Sequence, residues 1–129
     1  MINVAILGYG TVGSGVFEVL NENKESISRR AGQELHVKYV LDLRDFPVEK
    51  VLVHDYEQIV SDPEVDIVVE VMGGVEPAYT FVKKALLAGK NVCTSNKALV
   101  AKHGRELMDI AKENSINFLF EASCGGGIP

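Results

Sequence analysis

A glycine-rich turn close to the start of the sequence constrains the fold more than any other feature. Residues 2–7 (INVAIL) form a short, mostly apolar run that is typical of a strand buried on both faces. Residues 8–13 (GYGTVG) follow directly as a G-x-G-x-x-G motif, and apolar residues at helical spacing come next. In this setting Gly8 permits the tight turn, Gly10 lets the backbone approach a pyrophosphate, and Gly13 lets the helix pack on the strand. The stretch predicts dinucleotide binding; a glycine turn without a ligand is the alternative.

Predicted strands and helices alternate along the rest of the chain. The predicted strands are residues 2–7, 35–41, 51–53, 67–71, 91–94 and 117–120, and the predicted helices are residues 11–23, 56–60, 77–89 and 105–113, with an irregular turn beginning at residues 96–97. This alternation implies right-handed crossovers and an α/β fold with a doubly wound parallel sheet. Gly15 lies inside the first predicted helix, where a glycine costs about 1 kcal/mol, and this indicates close packing at that position.

Length and charge narrow the class of protein. With 129 residues the chain is long enough for a core of its own, and we expect residues 1–129 to form a single domain. A net charge of −5 excludes nucleic acid as the main partner, because no basic stripe is present to neutralise phosphates. No apolar run approaches the roughly 18 residues that span a bilayer. We therefore expect a cytoplasmic protein without membrane contact.

The two cysteines and the end of the sequence add two expectations. Cys93 and Cys124 form neither a C-x-x-C motif nor a metal-binding spacing, so we expect both to be reduced. Residues 125–129 (GGGIP) are an unusual end for a compact domain. They are predicted to be a hinge into a further part of the protein, and a flexible tail is the alternative.

The candidate site lies where the predicted strands end. Ligands of an open α/β sheet bind outside the carboxyl ends of its strands. Five segments are therefore expected to converge on one crevice, namely residues 8–13, 42–44, 72–74, 94–97 and 121–127.

Two charged residues after the second predicted strand bear on the choice of cofactor. Asp42 comes later after the third glycine than the usual spacing of about 20 residues, and the polar insertion at residues 25–34 accounts for the difference. A carboxylate at this place would accept a hydrogen bond from the ribose 2′-hydroxyl of NAD, whereas Arg44 would favour the 2′-phosphate of NADP. The two residues point to different cofactors, with a slight preference for NAD. Solvated loop charges are the alternative.

Lys97 is the candidate for chemistry outside the glycine motif. It follows a predicted strand, where an ammonium group could hold a substrate oxygen or assist proton transfer as a hydride moves. A surface lysine in a turn is the alternative. Glu70 lies on a predicted buried strand, where an acid is costly unless it is paired, so we expect a structural hydrogen bond. His36, His54 and His103 share no motif and are expected to be ordinary.

Four motifs, taken in order, carry a family resemblance. They are AILGYGTVGSGV, VEVMGG followed by EPA, AGKNVCTSNKALVAKHG and FEASCGGGIP, and TSNKALVA and EASCGGGIP are much more specific than the glycine motif. In this order they resemble the N-terminal part of homoserine dehydrogenase, over essentially all 129 residues. The resemblance implies a Rossmann-type NAD(P)-binding domain. It also implies the NAD(P)-dependent interconversion of L-homoserine and L-aspartate 4-semialdehyde, a branch step towards threonine and methionine.

The resemblance implies roles for individual residues. The dinucleotide would be held by the glycine loop, through Gly8, Gly10, Thr11, Val12 and Gly13. Gly73 would line the nicotinamide end, and Lys97 would match the family's lysine near the nicotinamide and the substrate. A sodium site to which backbone oxygens contribute would be formed by Glu121, Cys124, Gly126 and Ile128. Cys124 stands where the family often has valine, a change that is harmless if the carbonyl is the ligand.

The resemblance covers only part of the family's machinery. The family's substrate-binding acids and second catalytic lysine lie further along than this sequence extends. We therefore expect the 129-residue chain to bind dinucleotide without oxidising homoserine, and the full enzyme to be a homo-oligomer. One alternative is another dehydrogenase, such as aspartate dehydrogenase or a sugar oxidoreductase, although the latter typically has E-K-P where this sequence has N-K-A at residues 96–98. The other is a non-enzymatic nucleotide-sensing module.

Overall fold

Six parallel strands form one continuous sheet in the computed structural model, which describes residues 2–8, 15, 35–42 and 52–120. In chain order they are β1 (Ile2–Leu7), β2 (Leu35–Leu41), β3 (Leu52–Val53), β4 (Val65–Glu70), β5 (Asn91–Thr94) and β6 (Phe118–Phe120). Their spatial order is β3-β2-β1-β4-β5-β6, and every neighbouring pair is parallel. The strand order therefore reverses between β1 and β4, which confirms the predicted α/β fold with a doubly wound parallel sheet.

Apolar side chains bury β1 on both faces of the sheet. Ala5 and Leu7 belong to the larger core cluster, whereas Val4 and Ile6 belong to a second cluster that also contains residues of β2. Successive side chains of a strand point to opposite faces, so a nearly continuous apolar run places groups in both clusters. This is why the first strand is recognisable from the sequence.

Three described helices contribute to the larger core cluster, namely α1 (Glu57–Val60), α2 (Ala78–Leu87) and α3 (Lys97–Glu113). The buried residues are Ala78, Val82, Ala85 and Leu86 in α2 and Leu99, Gly104, Leu107 and Ala111 in α3. Their spacing places them on one face of each helix, and burying a leucine contributes roughly 1.5–3 kcal/mol. These faces hold α2 and α3 against each other and against the sheet. None of the described helices is both long and apolar enough to cross a membrane.

The start of α3 differs from the prediction. We predicted an irregular turn at residues 96–97 and a helix from residue 105, whereas the helix begins at Lys97. Asn96 caps it, because its Oδ1 accepts a hydrogen bond from the Leu99 N–H at 3.0 Å. Leu99 is fully buried, so the first turn is also held by packing. The bounds of the other described strands and helices agree with prediction within about two residues.

Two smaller predictions are wrong. Gly15 is helical but exposed, and a Cβ built there would meet no described atom within 4 Å, so the expected close packing is absent among the described residues. Cys93 is disulfide-bonded, so the prediction of a reduced thiol fails at this position. Apart from Gly15, the predicted helix at residues 11–23 lies outside the described residues.

A carboxylate network joins β2 to the turn that precedes β4. Asp62 Oδ2 lies 2.7 Å from Nζ of Lys38 and accepts a hydrogen bond from the Tyr39 hydroxyl at 2.8 Å. Its Oδ1 accepts a hydrogen bond from the Glu64 N–H at 2.9 Å. These contacts, above all the one with Lys38, lower the pKa of Asp62 to about 2. The folded chain therefore favours the ionised carboxylate.

Asp62→Asn should lower the midpoint of thermal unfolding at about pH 7, because the ionised carboxylate gains its partners only in the folded chain. A folded-state pKa below the ordinary 3.8 gives stability that is present above that value and is lost as pH falls through about 2. The deficit of the variant should therefore shrink at about pH 2.5. Circular dichroism melts at both pH values check this, with Asp109→Asn, an exposed carboxylate on α3, as the control. A deficit that is equal at both pH values would contradict it.

Candidate functional site

The carboxyl ends of the six strands lie in one row. The residues paired across this row are Val53, Leu41, Leu7, Glu70, Thr94 and Phe120. The segments that follow the strands therefore begin at one edge, with the reversal of strand order between β1 and β4 in the middle. Residues 8, 42, 72–74 and 94–97 therefore follow the strands along one edge of the sheet, as the prediction requires; that they form one crevice stays a prediction. Residues 121–127 lie outside the described part of the chain.

Gly8 ends β1 in a place that excludes a side chain. Its φ is +99°, and its N–H donates to the Leu41 carbonyl at 2.8 Å. A Cβ built on Gly8 would lie 3.0 Å from Cγ and 3.3 Å from Cα of Met72. Both the backbone conformation and the close approach of the segment after β4 therefore require glycine here. The first glycine of the motif lies at the strand reversal itself.

The loop after β4 turns through two glycines. The φ angle is +80° at Gly73 and +75° at Gly74. A Cβ built on Gly73 would meet none of the described atoms within 4 Å, so no described residue crowds the backbone there. The loop is tied to its surroundings on both sides, because the Val71 N–H donates to the Leu7 carbonyl at 3.0 Å and the Gly74 carbonyl accepts from Asn96 Nδ2 at 2.5 Å.

Glu70 is fully buried at the end of β4, and its carboxylate joins two loops. Oε1 accepts a hydrogen bond from the Thr94 hydroxyl at 2.5 Å. Oε2 accepts hydrogen bonds from the Met72 N–H at 2.8 Å and from Asn96 Nδ2 at 3.3 Å. The prediction that Glu70 makes a structural hydrogen bond is confirmed, and its carboxylate accepts three hydrogen bonds.

Asn96 links this carboxylate to α3. Its Nδ2 donates to Glu70 and to the Gly74 carbonyl, while its Oδ1 caps the helix at Leu99. Its backbone N–H donates to the Thr94 hydroxyl oxygen at 3.0 Å. Thr94 and Asn96 lie in the segment 94–97 that we predicted to belong to the site, but we assigned neither of them a role of its own. An asparagine directly before an amphipathic run is an N-cap signal that would have found the second of them.

Lys97 is the first residue of α3, and its side chain is exposed. A cation at a helix N-terminus opposes the macrodipole, at a cost of about 0.3–1 kcal/mol. Helix stability therefore does not explain a lysine at this position. Its backbone is held next to Asn96, at the same edge of the sheet as Gly73, so an ammonium group is available to a ligand bound there.

Asp42 and His54 lie next to each other at the ends of β2 and β3. The Asp42 N–H donates to the Val53 carbonyl at 3.2 Å, and Nδ1 of His54 lies 2.5 Å from the Asp42 carbonyl oxygen, to which it can only donate. The backbone from which the Asp42 side chain leaves is thus fixed. His54, expected to be ordinary, lies at the candidate site, and no sequence motif signalled it. His103 instead stacks on Tyr79 between α2 and α3, with ring centroids 3.8 Å apart.

The remaining predicted site residues lie outside the described residues. They are Gly10, Thr11, Val12 and Gly13 of the glycine motif, Arg44, and the sodium candidates Glu121, Cys124, Gly126 and Ile128. Within residues 2–8, 15, 35–42 and 52–120, no group of three or more His, Cys, Asp and Glu side chains could hold a metal ion.

Comparisons with known proteins agree with the resemblance carried by the motifs. A family model described as the NAD binding domain of homoserine dehydrogenase matches residues 8–121. The chain is 42% identical over 136 residues to the homoserine dehydrogenase of Lactococcus lactis subsp. lactis (strain IL1403), covering 99% of this chain and 32% of that protein. These findings favour homoserine dehydrogenase over the aspartate dehydrogenase and sugar oxidoreductase alternatives.

Solved structures give the same picture. The crystal structure of a homoserine dehydrogenase from Thiobacillus denitrificans superposes with a TM-score of 0.87 at 42% identity, over 95% of this chain and 30% of that one. A hyperthermophilic archaeal homoserine dehydrogenase in complex with NADPH superposes with a TM-score of 0.76 at 30% identity, over 95% of this chain and 44% of that one. The chain thus spans less than half of the length of each relative.

Gly8→Ala should lower the free energy of unfolding by about 1–3 kcal/mol, because the new Cβ would adopt a strained φ and press against Met72. Gly15→Ala is the matched control, because that glycine is helical, exposed and clear of described atoms. The control should be neutral or more stable by up to about 1 kcal/mol. Urea unfolding of both variants measures this, and equal stability of the two would contradict the close approach at Gly8.

Proposed function

Because the chain belongs to the homoserine dehydrogenase family through the NAD-binding domain of that family, we propose that it binds a nicotinamide dinucleotide along the carboxyl edge of its sheet. One observation carries the proposal: Gly8, which opens the glycine motif, lies at the strand reversal with a positive φ and in tight contact with Met72. In sheets of this type the crevice at the reversal binds dinucleotides, and the first glycine of the motif makes the tight turn that leads into it.

We assign parts of the dinucleotide to separate strand ends. The pyrophosphate would lie over the glycine motif, the adenosine ribose beside Asp42 after β2, and the nicotinamide beside Gly73 after β4. The proposed contacts are Gly8, Gly10, Thr11, Val12, Gly13, Asp42, Arg44, Gly73 and Lys97. This assignment is supported by the register of β2, β1 and β4, which brings Asp42, Gly8 and the start of the Gly73 loop to one edge.

For the whole protein we propose the oxidation of L-homoserine to L-aspartate 4-semialdehyde and its reverse. When bound, NAD or NADP supplies the hydride acceptor, and the hydroxyl proton of the alcohol leaves as the hydride is transferred. Lys97 is the proposed catalytic residue: its side chain holds the substrate oxygen, or its neutral amine accepts this proton in the oxidation and the resulting ammonium returns it to the carbonyl oxygen in the reverse reaction. Its exposed position at the start of α3, beside the Gly73 loop, supports this role.

The choice between NAD and NADP depends on residues near the adenosine ribose. A carboxylate at Asp42 favours NAD, because it accepts from the 2′-hydroxyl and repels a 2′-phosphate, whereas Arg44 acts in the opposite sense. The hydrogen bonds that fix the Asp42 backbone support a defined position for the carboxylate. We give NAD a slight preference on this ground.

The other parts of the proposal concern the whole protein and follow from the family. We place the protein in threonine and methionine biosynthesis and in the cytoplasm. We propose a homo-oligomer with small-molecule substrates and without nucleic-acid or membrane partners. A sodium ion near Glu121, Cys124, Gly126 and Ile128 stays a prediction, because these residues lie beyond the described ones. A non-enzymatic nucleotide-sensing module is the alternative function.

Gly10→Glu should abolish dinucleotide binding without loss of the fold, because a carboxylate would occupy and repel the pyrophosphate position. Calorimetry of the 129-residue chain with NADH and with NADPH measures this and also gives the preference of the wild type. Gly15→Glu, the same change at the exposed helical glycine, is the control and should bind like the wild type. Unchanged affinity in Gly10→Glu would contradict the assignment of the glycine motif.

The 129-residue chain should not measurably oxidise homoserine, because positioning of the substrate supplies on the order of 7–11 kcal/mol of such barriers and the chain has no recognisable site for an amino acid. A chimera in which the chain replaces the aligned segment of the Lactococcus lactis relative should be active. Lys97→Ala in the chimera should lower kcat roughly a hundredfold or more while the KM for the dinucleotide changes little.

The assay is the production of NADH or NADPH from homoserine. Lys102→Ala, an exposed lysine on the same helix, is the control and should retain activity. Turnover by the 129-residue chain would overturn the expectation for the isolated domain, and a fully active Lys97→Ala chimera would remove Lys97 from the chemistry. A chimera that binds dinucleotide without turnover would favour the sensing module.

A further inference from the structure

We propose that Glu70 is a positioning residue for the nicotinamide end of the dinucleotide site, an inference that rests on the proposed function. Its side chain is fully buried, so the carboxylate does not itself face a ligand. It acts through the two loops that it joins, the segment 72–74 after β4 and the segment 94–97 after β5.

Three hydrogen bonds from uncharged donors converge on the carboxylate. The Met72 N–H fixes the beginning of the first loop, and the Thr94 hydroxyl and Asn96 Nδ2 fix the second. Both carboxylate oxygens act only as acceptors in this arrangement. An ionised carboxylate is the side chain that can serve three such donors at once.

Asn96 carries the constraint from Glu70 to Lys97. Its amide nitrogen bridges Glu70 and the Gly74 carbonyl, and its amide oxygen caps the first turn of α3. The helix start that holds Lys97 and the loop that holds Gly73 are thereby set at one fixed distance from each other. In the proposed function these are the two groups on either side of the nicotinamide.

Because burying the Glu70 carboxylate is energetically unfavourable, its role is more than filling space in the core. Burying a carboxylate costs several kcal/mol even after relaxation, and a well-packed apolar side chain would often be as stable. An apolar residue at the end of β4 could not serve the donors of both loops. On the adenosine side, the N–H groups of Gly8 and Asp42 donate to the carbonyls of Leu41 and Val53, hydrogen bonds that do not involve Glu70.

Two variants of Glu70 separate shape from hydrogen bonding. Glu70→Ala removes the acceptors of Met72, Thr94 and Asn96 together. Glu70→Gln keeps the shape of the side chain. With its amide nitrogen directed towards Thr94, its amide oxygen can still accept hydrogen bonds from Met72 and Asn96. Asp66→Asn is the matched control, because it makes the same carboxylate-to-amide change on β4 at the far end of the strand, where Asp66 accepts from the Asn3 N–H.

The experiment compares ligands with and without the nicotinamide. Calorimetry on the 129-residue chain measures Kd for NADH against ADP-ribose, and for NADPH against 2′-phospho-ADP-ribose. Glu70→Ala should weaken binding of the dinucleotide about tenfold and binding of the shorter ligand less than about twofold. The reason is that the buried donors lose their acceptor, so the two loops are no longer held in place. Glu70→Gln should show the same selectivity with a loss of about threefold, and Asp66→Asn should show none.

Asn96→Asp should behave like Glu70→Ala, because it keeps the cap on α3 and replaces the donor to Glu70 by an acceptor. The losses of Glu70→Gln and Asn96→Asp should not add in the double variant, since both break one network. Additive losses would overturn the proposed route through Asn96.

The outcomes are distinguishable. Wild type that binds neither ligand would overturn the proposed function and this inference with it. If the wild type binds both ligands, the positioning role alone is overturned when the Glu70 variants lose equal affinity for the two ligands or lose none. If Glu70→Ala does not fold, the test rests on Glu70→Gln. A loss of affinity for the dinucleotide that exceeds the loss for the shorter ligand supports the positioning role, and an unchanged ratio of the two affinities overturns it.

Discussion

The candidate site depends on the hydrogen bonds that the buried carboxylate of Glu70 accepts. It lies between β1 and β5 in the row of strand ends and accepts hydrogen bonds from both loops that leave that part of the sheet. A buried charge is tolerated only when it is fully hydrogen-bonded. The requirement acts in both directions, because the loops must supply donors to the carboxylate and the carboxylate then determines where the loops lie.

The parallel sheet decides which loops meet. With strand order β3-β2-β1-β4-β5-β6, the chain crosses from one side of β1 to the other, and the ends of β1 and β4 become neighbours. Because these two strand ends are neighbours, Gly8 lies in close contact with Met72. Two segments more than sixty residues apart in sequence are thereby brought together at one edge of the sheet. In sheets of this type, a crevice at such an edge suits a ligand with an extended, charged backbone of its own.

Particular residues show how far the sequence could be interpreted. β1 and Gly8 were predictable, because an apolar run followed by a glycine motif admits few structures. The start of α3 was missed, because the polar residues 102–105 (KHGR) interrupt the apolar pattern after residues 98–101 (ALVA) and the cap of Asn96 is a single side chain. Glu70 was recognised as a buried acid that needs a partner, but two of its three donors, Thr94 and Asn96, come from positions whose approach depends on strand register.

The sequence by itself determined the alternation of strands and helices, the glycine motif and the family, since these depend on local periodicity and on short motifs. The tertiary structure alone decided which strand ends share an edge and that Glu70 connects the Met72 and Asn96 segments. The reason is physical. Register and strand order arise from packing the two faces of the sheet, and no local pattern along the chain contains the distances that this packing creates.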